Sequence, residues 1–165
     1  MTATVFRLAD WDDLPALCQL IQLAFRPLAS QLPSRPTALD ETVASLTGHL
    51  ASGSQIFLAE REGQLLACLL VLPPQNGLAE VKRVCAHPDW QGHGLGSALL
   101  EYSEKQLRKQ GVEELILSTR RQLPGNLRFY QKLGYQEMER QPYPAGIDDE
   151  RVVMRKNLFS AASHL

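Results

Sequence analysis

Apolar residues at Leu14, Leu17, Cys18, Ile21, Phe25 and Leu28 recur at three- and four-residue intervals, which predicts a helix with one buried face. Asp12 and Asp13 are its capping candidates, Pro15 sits in its opening turn, and it should end near Pro27. A short strand, Thr4 to Leu8, precedes it. Leu39, Val43, Leu46 and Leu50 mark a second helix closed by Gly53. Two apolar runs then flank Arg61-Glu62-Gly63, and a glycine that tolerates positive φ predicts an antiparallel hairpin from Gln55 to Leu72.

A further strand from Leu78 to Ala86 enters a glycine-rich loop. The following helix carries Ala98, Leu99, Tyr102 and Leu107 on one side until Gly111. The crossover it makes places the next strand, Glu114 to Leu117, parallel to the one before. Pro124 opens another helix that stops at Gly134, and strands near Tyr135 to Arg140 and Arg151 to Asn157 close the pattern.

Composition narrows the picture. A chain of 165 residues, 44% hydrophobic and without a compositional break, is expected to form one α/β domain over residues 1–165 with a real core. A net charge of -1 supplies no broad basic surface for nucleic acid. The first residues lack the layout of a secretory signal, and the longest apolar run, Leu65 to Leu72, is too short to span a bilayer, so a soluble cytoplasmic protein off the membrane is expected. Cys18, Cys68 and Cys85 are odd in number and lie among apolar neighbours, as reduced core thiols do.

The chemistry concentrates in Asp89 to Leu100, DWQGHGLGSALL, where Gly92, Gly94 and Gly96 alternate just before a helix. A strand, a glycine-rich turn and a helix bring free backbone amides and the positive end of the helix dipole to one point, which suits a phosphate chain. A plain tight turn would use the same glycines for geometry alone. A dinucleotide fingerprint wants a third glycine where Leu99 stands and an acidic residue after the next strand, whereas Glu113 and Glu114 lie before it. The lysine of a P-loop is missing too.

Gln91-Gly92-His93-Gly94-Leu95-Gly96 instead reads QxxGxG, preceded by VKRVCAHPDW, and Asn126 to Tyr135 reads NLRFYQKLGY. Both stretches resemble motifs of the GNAT N-acetyltransferase superfamily, the first its acetyl-CoA loop and the second its late helix. Element order along nearly the whole chain is similar as well. The resemblance implies a mixed, mostly antiparallel sheet flanked by helices, with a central parallel strand pair that splays to admit CoA, here near Ala86 and Leu117. It implies that backbone groups of Val84, Cys85 and Ala86 meet the pantetheine arm, with a strand amide near Cys85 as oxyanion donor. Gly92, His93, Gly94, Leu95, Gly96 and Ser97 would cradle the diphosphate, with Gln91 leading the motif. The family's asparagine seven residues before the tyrosine is replaced by Leu123; Asn126 is the nearest, either as a cofactor contact, as a cap, or simply in the first turn of its helix.

Transfer needs a neutral amine. For a lysine-like acceptor of pKa ~10.4 only about one molecule in a thousand is neutral near pH 7.4, a handicap of ~4 kcal/mol that a base or desolvation must offset. Some family members carry a glutamate on the strand before the cofactor loop, which points to Glu80 as base; the alternative is an exposed carboxylate pairing with Lys82 on the same strand face. Tyr130 matches the family's tyrosine and could protonate the departing thiolate, or serve as a core aromatic with Leu127 and Leu133.

The expected activity is therefore acetyl transfer from acetyl-CoA to a primary amine, small-molecule or peptide, by direct attack, in a chain that family habit makes a possible homodimer. A non-catalytic acyl-CoA-binding module and a dinucleotide-binding oxidoreductase are the rivals. Cys85, His87 and His93 have no fourth ligand spaced with them, so no metal is expected. The stretches Arg26 to Thr37 and Gln141 to Glu150 would border the acceptor, and the acidic run Asp148, Asp149, Glu150 could attract a cationic amine.

Overall fold

In a computed structural model describing residues 3–159, β1 (Val5–Leu8), α1 (Leu14–Phe25) and α2 (Val43–Ala51) precede a hairpin of β2 (Gln55–Arg61) and β3 (Gln64–Val71). Next come β4 (Leu78–Ala86), α3 (Leu95–Lys109), β5 (Glu114–Arg120), α4 (Pro124–Lys132), β6 (Gln136–Pro142) and β7 (Glu150–Asn157). The seven strands form one sheet in the order β1-β2-β3-β4-β5-β7-β6. Every neighbouring pair is antiparallel except β4 and β5. That arrangement agrees with the sheet expected from the chain's motifs and disagrees with the parallel, doubly wound sheet of a dinucleotide-binding enzyme.

Helices cover both faces, so the central strands are apolar on both sides rather than alternating. In β2, Ile56 and Leu58 join Leu14, Leu17, Ile21 and Leu46 of α1 and α2, while Phe57 and Ala59 join Leu99, Leu100 and Leu107 of α3. Buried Glu104 fastens α3 to β7 and to the residue before β6, accepting from Lys156 Nζ at 2.9 Å and Tyr135 Oη at 2.8 Å. No helix among the described residues is long and apolar enough to cross a membrane.

Strand β5 runs three residues beyond the expected Leu117, to Arg120, and three boundaries in the N-terminal part also depart from the sequence pattern. Asp13 occupies the N-cap position of α1 without a capping bond, because its carboxylate is drawn to Arg7 at 2.8 Å; Asp10 caps the preceding 3-10 turn instead. Beyond Phe25 the helix tightens into a 3-10 turn, Arg26–Ser30, where Pro27 near the start has no N–H to withhold. Leu39 lies in a separate 3-10 turn, Thr37–Asp40, since Glu41 and Thr42 are extended and Thr42 restarts the helix in a reciprocal cap with Ser45.

Replacing Glu104 with Ala should lower the stability by about 2 kcal/mol, the usual worth of buried hydrogen bonds to a charged group. Denaturant unfolding measures it, with an unchanged slope expected.

Candidate functional site

The two parallel strands are joined over three residues only, Leu78–Glu80 against Glu114–Ile116. Beyond them β4 keeps its partner β3, through Lys82, Cys85 and Ala86, and β5 keeps β7 through Arg120. Their facing edges therefore turn unpaired backbone groups into a gap. Buried peptide groups require partners, so such a gap is a place for a ligand with amides of its own.

A bulge turns β4 away. Between the pairs Cys68–Cys85 and Leu70–Lys82, β3 advances two residues and β4 three, and Arg83 has φ of 60°. A left-handed residue with a side chain costs roughly 1–2 kcal/mol. The side chain of Arg83 repays this by anchoring itself: Nε donates to Glu41 Oε2 at 2.8 Å and Nη1 to Thr37 Oγ1 at 3.0 Å. Burial by itself would raise the pKa of Glu41, but hydrogen bonds from Ser45 and Arg83, with the charges of Arg83 and His49, hold that carboxyl below its ordinary value.

The loop after β4 is shaped by its own polar groups. His87 Nδ1 accepts from the Asp89 amide at 3.1 Å, and Gln91 Nε2 reaches back to the Ala86 carbonyl at 3.3 Å. Gly94 occupies the N-cap of α3 at φ 77°, and no side chain caps the helix. A Cβ on Gly92 or Gly94 would meet nothing within 4 Å, so positive φ is what requires glycine there, and the space before the amides is open. Gly96 has a different reason: its Cβ would lie 3.4 Å from Phe129, where α3 packs against α4.

A cleft of about 580 Å³ opens here. It gathers Val84, Cys85, Ala86, Gln91, Gly92, Gly94, Leu95, Gly96, Ser97, Asn126 and Tyr130. His93 is not in its wall; it packs on Trp90 with ring centroids 5.5 Å apart. Sequence reasoning missed Ala24, Phe25 and Leu28, which α1 and its 3-10 extension contribute. Phe25 and Leu28 belong to the apolar face already assigned to the core, and nothing in their spacing says where that face leaves the sheet.

A second cavity of about 240 Å³ adjoins the first, and Phe25, Leu28, Val84, Asn126 and Tyr130 line both. Strand residues 81–84 and 117–120 form its floor, and the segments after α1 and β6 contribute Leu32, Arg35, Thr37 and Tyr143. Glu80, the last residue of β4 paired with β5, lines neither cavity and makes no ion pair with Lys82. Tyr130 is buried at the junction, and its hydroxyl has no hydrogen-bond partner among the described residues. Burial first, and neighbouring Cys85 second, push its pKa well above 10.0.

Asn126 lies in the first turn of α4 rather than at the cap, which is Leu123; its Nδ2 meets Thr119 Oγ1 at 3.3 Å. The acidic run is occupied with structure. Asp149 is buried and accepts from Arg120 Nε at 2.7 Å and from the Gln122 and Glu150 amides, while Asp148 holds Arg121 at 2.6 Å. The expected attraction of these carboxylates for a cationic amine is thereby replaced by a role in fixing β5 to the loop before β7. The Cys68 and Cys85 sulfurs lie 3.6 Å apart as free thiols.

A sequence profile of the acetyltransferase (GNAT) family matches residues 14–135. The chain belongs to that family. It is 27% identical over 109 residues to an uncharacterised N-acetyltransferase of Chlorobaculum tepidum, covering 66% of this chain and 65% of the relative. It is 28% identical over 133 residues to an amino-acid acetyltransferase of Mannheimia succiniciproducens, but that match covers 78% of this chain and only 26% of the longer protein. The chain thus spans less than two thirds of these relatives' length. In fold, it superposes on the PaiA N-acetyltransferase of Thermoplasma acidophilum, solved with coenzyme A, at a TM-score of 0.79 and 18% identity, covering 94% of this chain and 99% of that one.

Glu41→Gln should remove the tether of the β4 bulge and lower stability at neutral pH by about 3 kcal/mol. Because the folded carboxyl has a lowered pKa, its contribution is present above 4.5 and is lost as pH falls through the folded value, so parent and variant should converge in acid. Gly94→Ala should cost about 1 kcal/mol by forcing a side chain into the left-handed region. Urea titrations across pH test both.

Proposed function

We propose that this chain transfers an acetyl group from acetyl-CoA to an amine. The observation that carries the reading is the convergence of three features: the uncapped, glycine-entered amides of α3, the open edge of β4, and the unpartnered hydroxyl of buried Tyr130. Amides at Gly94 to Ser97 suit a diphosphate, with the helix dipole adding ~0.3–1 kcal/mol per charge. Val84, Cys85 and Ala86 offer strand N–H and C=O groups to the amides of a pantetheine arm, as a neighbouring strand would.

Bound acetyl-CoA would supply an activated acetyl thioester, whose carbon–sulfur bond breaks as the acceptor nitrogen forms the amide, nitrogen losing one proton and sulfur gaining one. Tyr130 holds a proton at Oη through the neutral range, because burial raises its pKa, and it is the group available at the junction to protonate a thiolate. Glu80 keeps the role of base only through a bridging water, since it borders neither cavity.

Two measurements test the reading. Coenzyme A should raise the melting temperature by binding the folded state. Tyr130→Phe should lower kcat for acetyl transfer by about 10²-fold or more while leaving coenzyme A affinity unchanged. Coenzyme A binding without turnover of any amine would reduce the chain to an acyl-CoA-binding module, and no binding at all would refute the proposal.

A further inference from the structure

The smaller cavity has a charge pattern that the transferase reading does not explain. Arg35, Lys82, Arg83, Arg120 and Arg151 line it, and no carboxylate does among the described residues. Three of these cations are paired with carboxylates outside the lining: Arg35 with Asp40, Arg83 with Glu41 and Arg120 with Asp149. Lys82 and Arg151 have no ion-pair partner among the described residues. Arg151 also sits directly across from Arg120 in the β5–β7 register, an opposition of like charges that a sheet ordinarily avoids.

Half-buried Lys82 and exposed Arg151, both without a carboxylate partner, concentrate positive potential at one cavity, which favours the entry of an anion. The same wall repels polycations. The cavity's volume, about 240 Å³, is smaller than the ~300–1,000 Å³ of drug-sized sites. Its shared boundary with the cleft, at Val84, Asn126 and Tyr130, fixes where an acceptor nitrogen must arrive, and Lys82 and Arg151 belong to the cavity alone.

Resting on the acetyl-transfer reading above, we infer that the acceptor is a small amine carrying a carboxylate, a free amino acid, whose carboxylate is held by Lys82 and Arg151 while its nitrogen faces Tyr130. Arg83 and Arg120 shape the wall and add positive potential, but their Nε atoms are already committed to carboxylates. The two cations thereby have separate effects on a zwitterion. They attract its carboxylate and favour loss of the proton from its ammonium.

The test begins with a calorimetric titration of the protein with coenzyme A. The loaded protein is then titrated with the common amino acids, each beside its carboxamide and its decarboxylated amine, and with spermidine and a short peptide whose N-terminus has no carboxylate near it. At least one amino acid should bind about tenfold or more tightly than both of its uncharged-end counterparts, the factor that about 1.4 kcal/mol supplies. Lys82→Met and Arg151→Gln should each erase most of that preference, with carboxamide affinity, coenzyme A affinity and melting temperature retained. Equal or tighter binding of carboxamide, spermidine or peptide overturns the inference, as does the absence of binding by every amino acid to protein that binds coenzyme A. Failure to bind coenzyme A overturns the transferase reading and this inference together.

Discussion

The parting of β4 from β5 is the constraint on which the other features depend. After the third residue pair each strand keeps only its outer neighbour, so a sheet that is otherwise continuous contains a slot edged with unpaired peptide groups. A slot of this kind would close by simple strand pairing unless something kept β4 turned. The extra residue at Arg83 turns it, and the Glu41–Arg83 pair holds the turn from outside the sheet. Backbone strain at one residue is thus exchanged for an open site, with α2's entry segment serving as the brace.

The opposite strand is braced with equal directness. Arg120, at the end of β5, is gripped by Asp149 and by both the carbonyl and hydroxyl of Ser34, and it stacks on Tyr143 with 4.4 Å from guanidinium to ring centre. One side chain therefore ties β5 to the segment after α1 and to the loop before β7. The two proline-bearing stretches that look featureless in sequence are held in place by this arginine, and both reach the smaller cavity.

Much of this organisation is legible in the sequence, for identifiable reasons. The hairpin of β2 and β3, the parallel step from β4 to β5, and the loop into α3 rest on local signals: Gly63 at a turn, a crossover helix of fixed hand, and glycines beside a helix start. Signals that depend on distant partners are not local. Asp13 reads as a cap but is claimed by Arg7, Leu39 reads as helical but lies before an extended Glu41, and Asp148 and Asp149 read as carboxylates free to attract an amine but bind arginines. Glu80 and Lys82 share a strand face in the simple alternation, yet only Lys82 reaches a cavity because the strand diverges and bulges between and beyond them. The cationic wall was hidden for the same reason, its members coming from residues 35, 82, 83, 120 and 151.

The position of β7 has a further consequence for the order in which the molecule can be built. β5 is flanked in the sheet by β4, which it barely touches, and by β7, which leaves the ribosome some thirty residues later, from Glu150 onward. A nascent chain that has delivered the glycine loop, α3 and α4 still has β5 bare along one side and Arg120 without Asp149. The first four strands and their helices can condense early around their own apolar faces, but the slot acquires its second wall only when translation has passed Asn157.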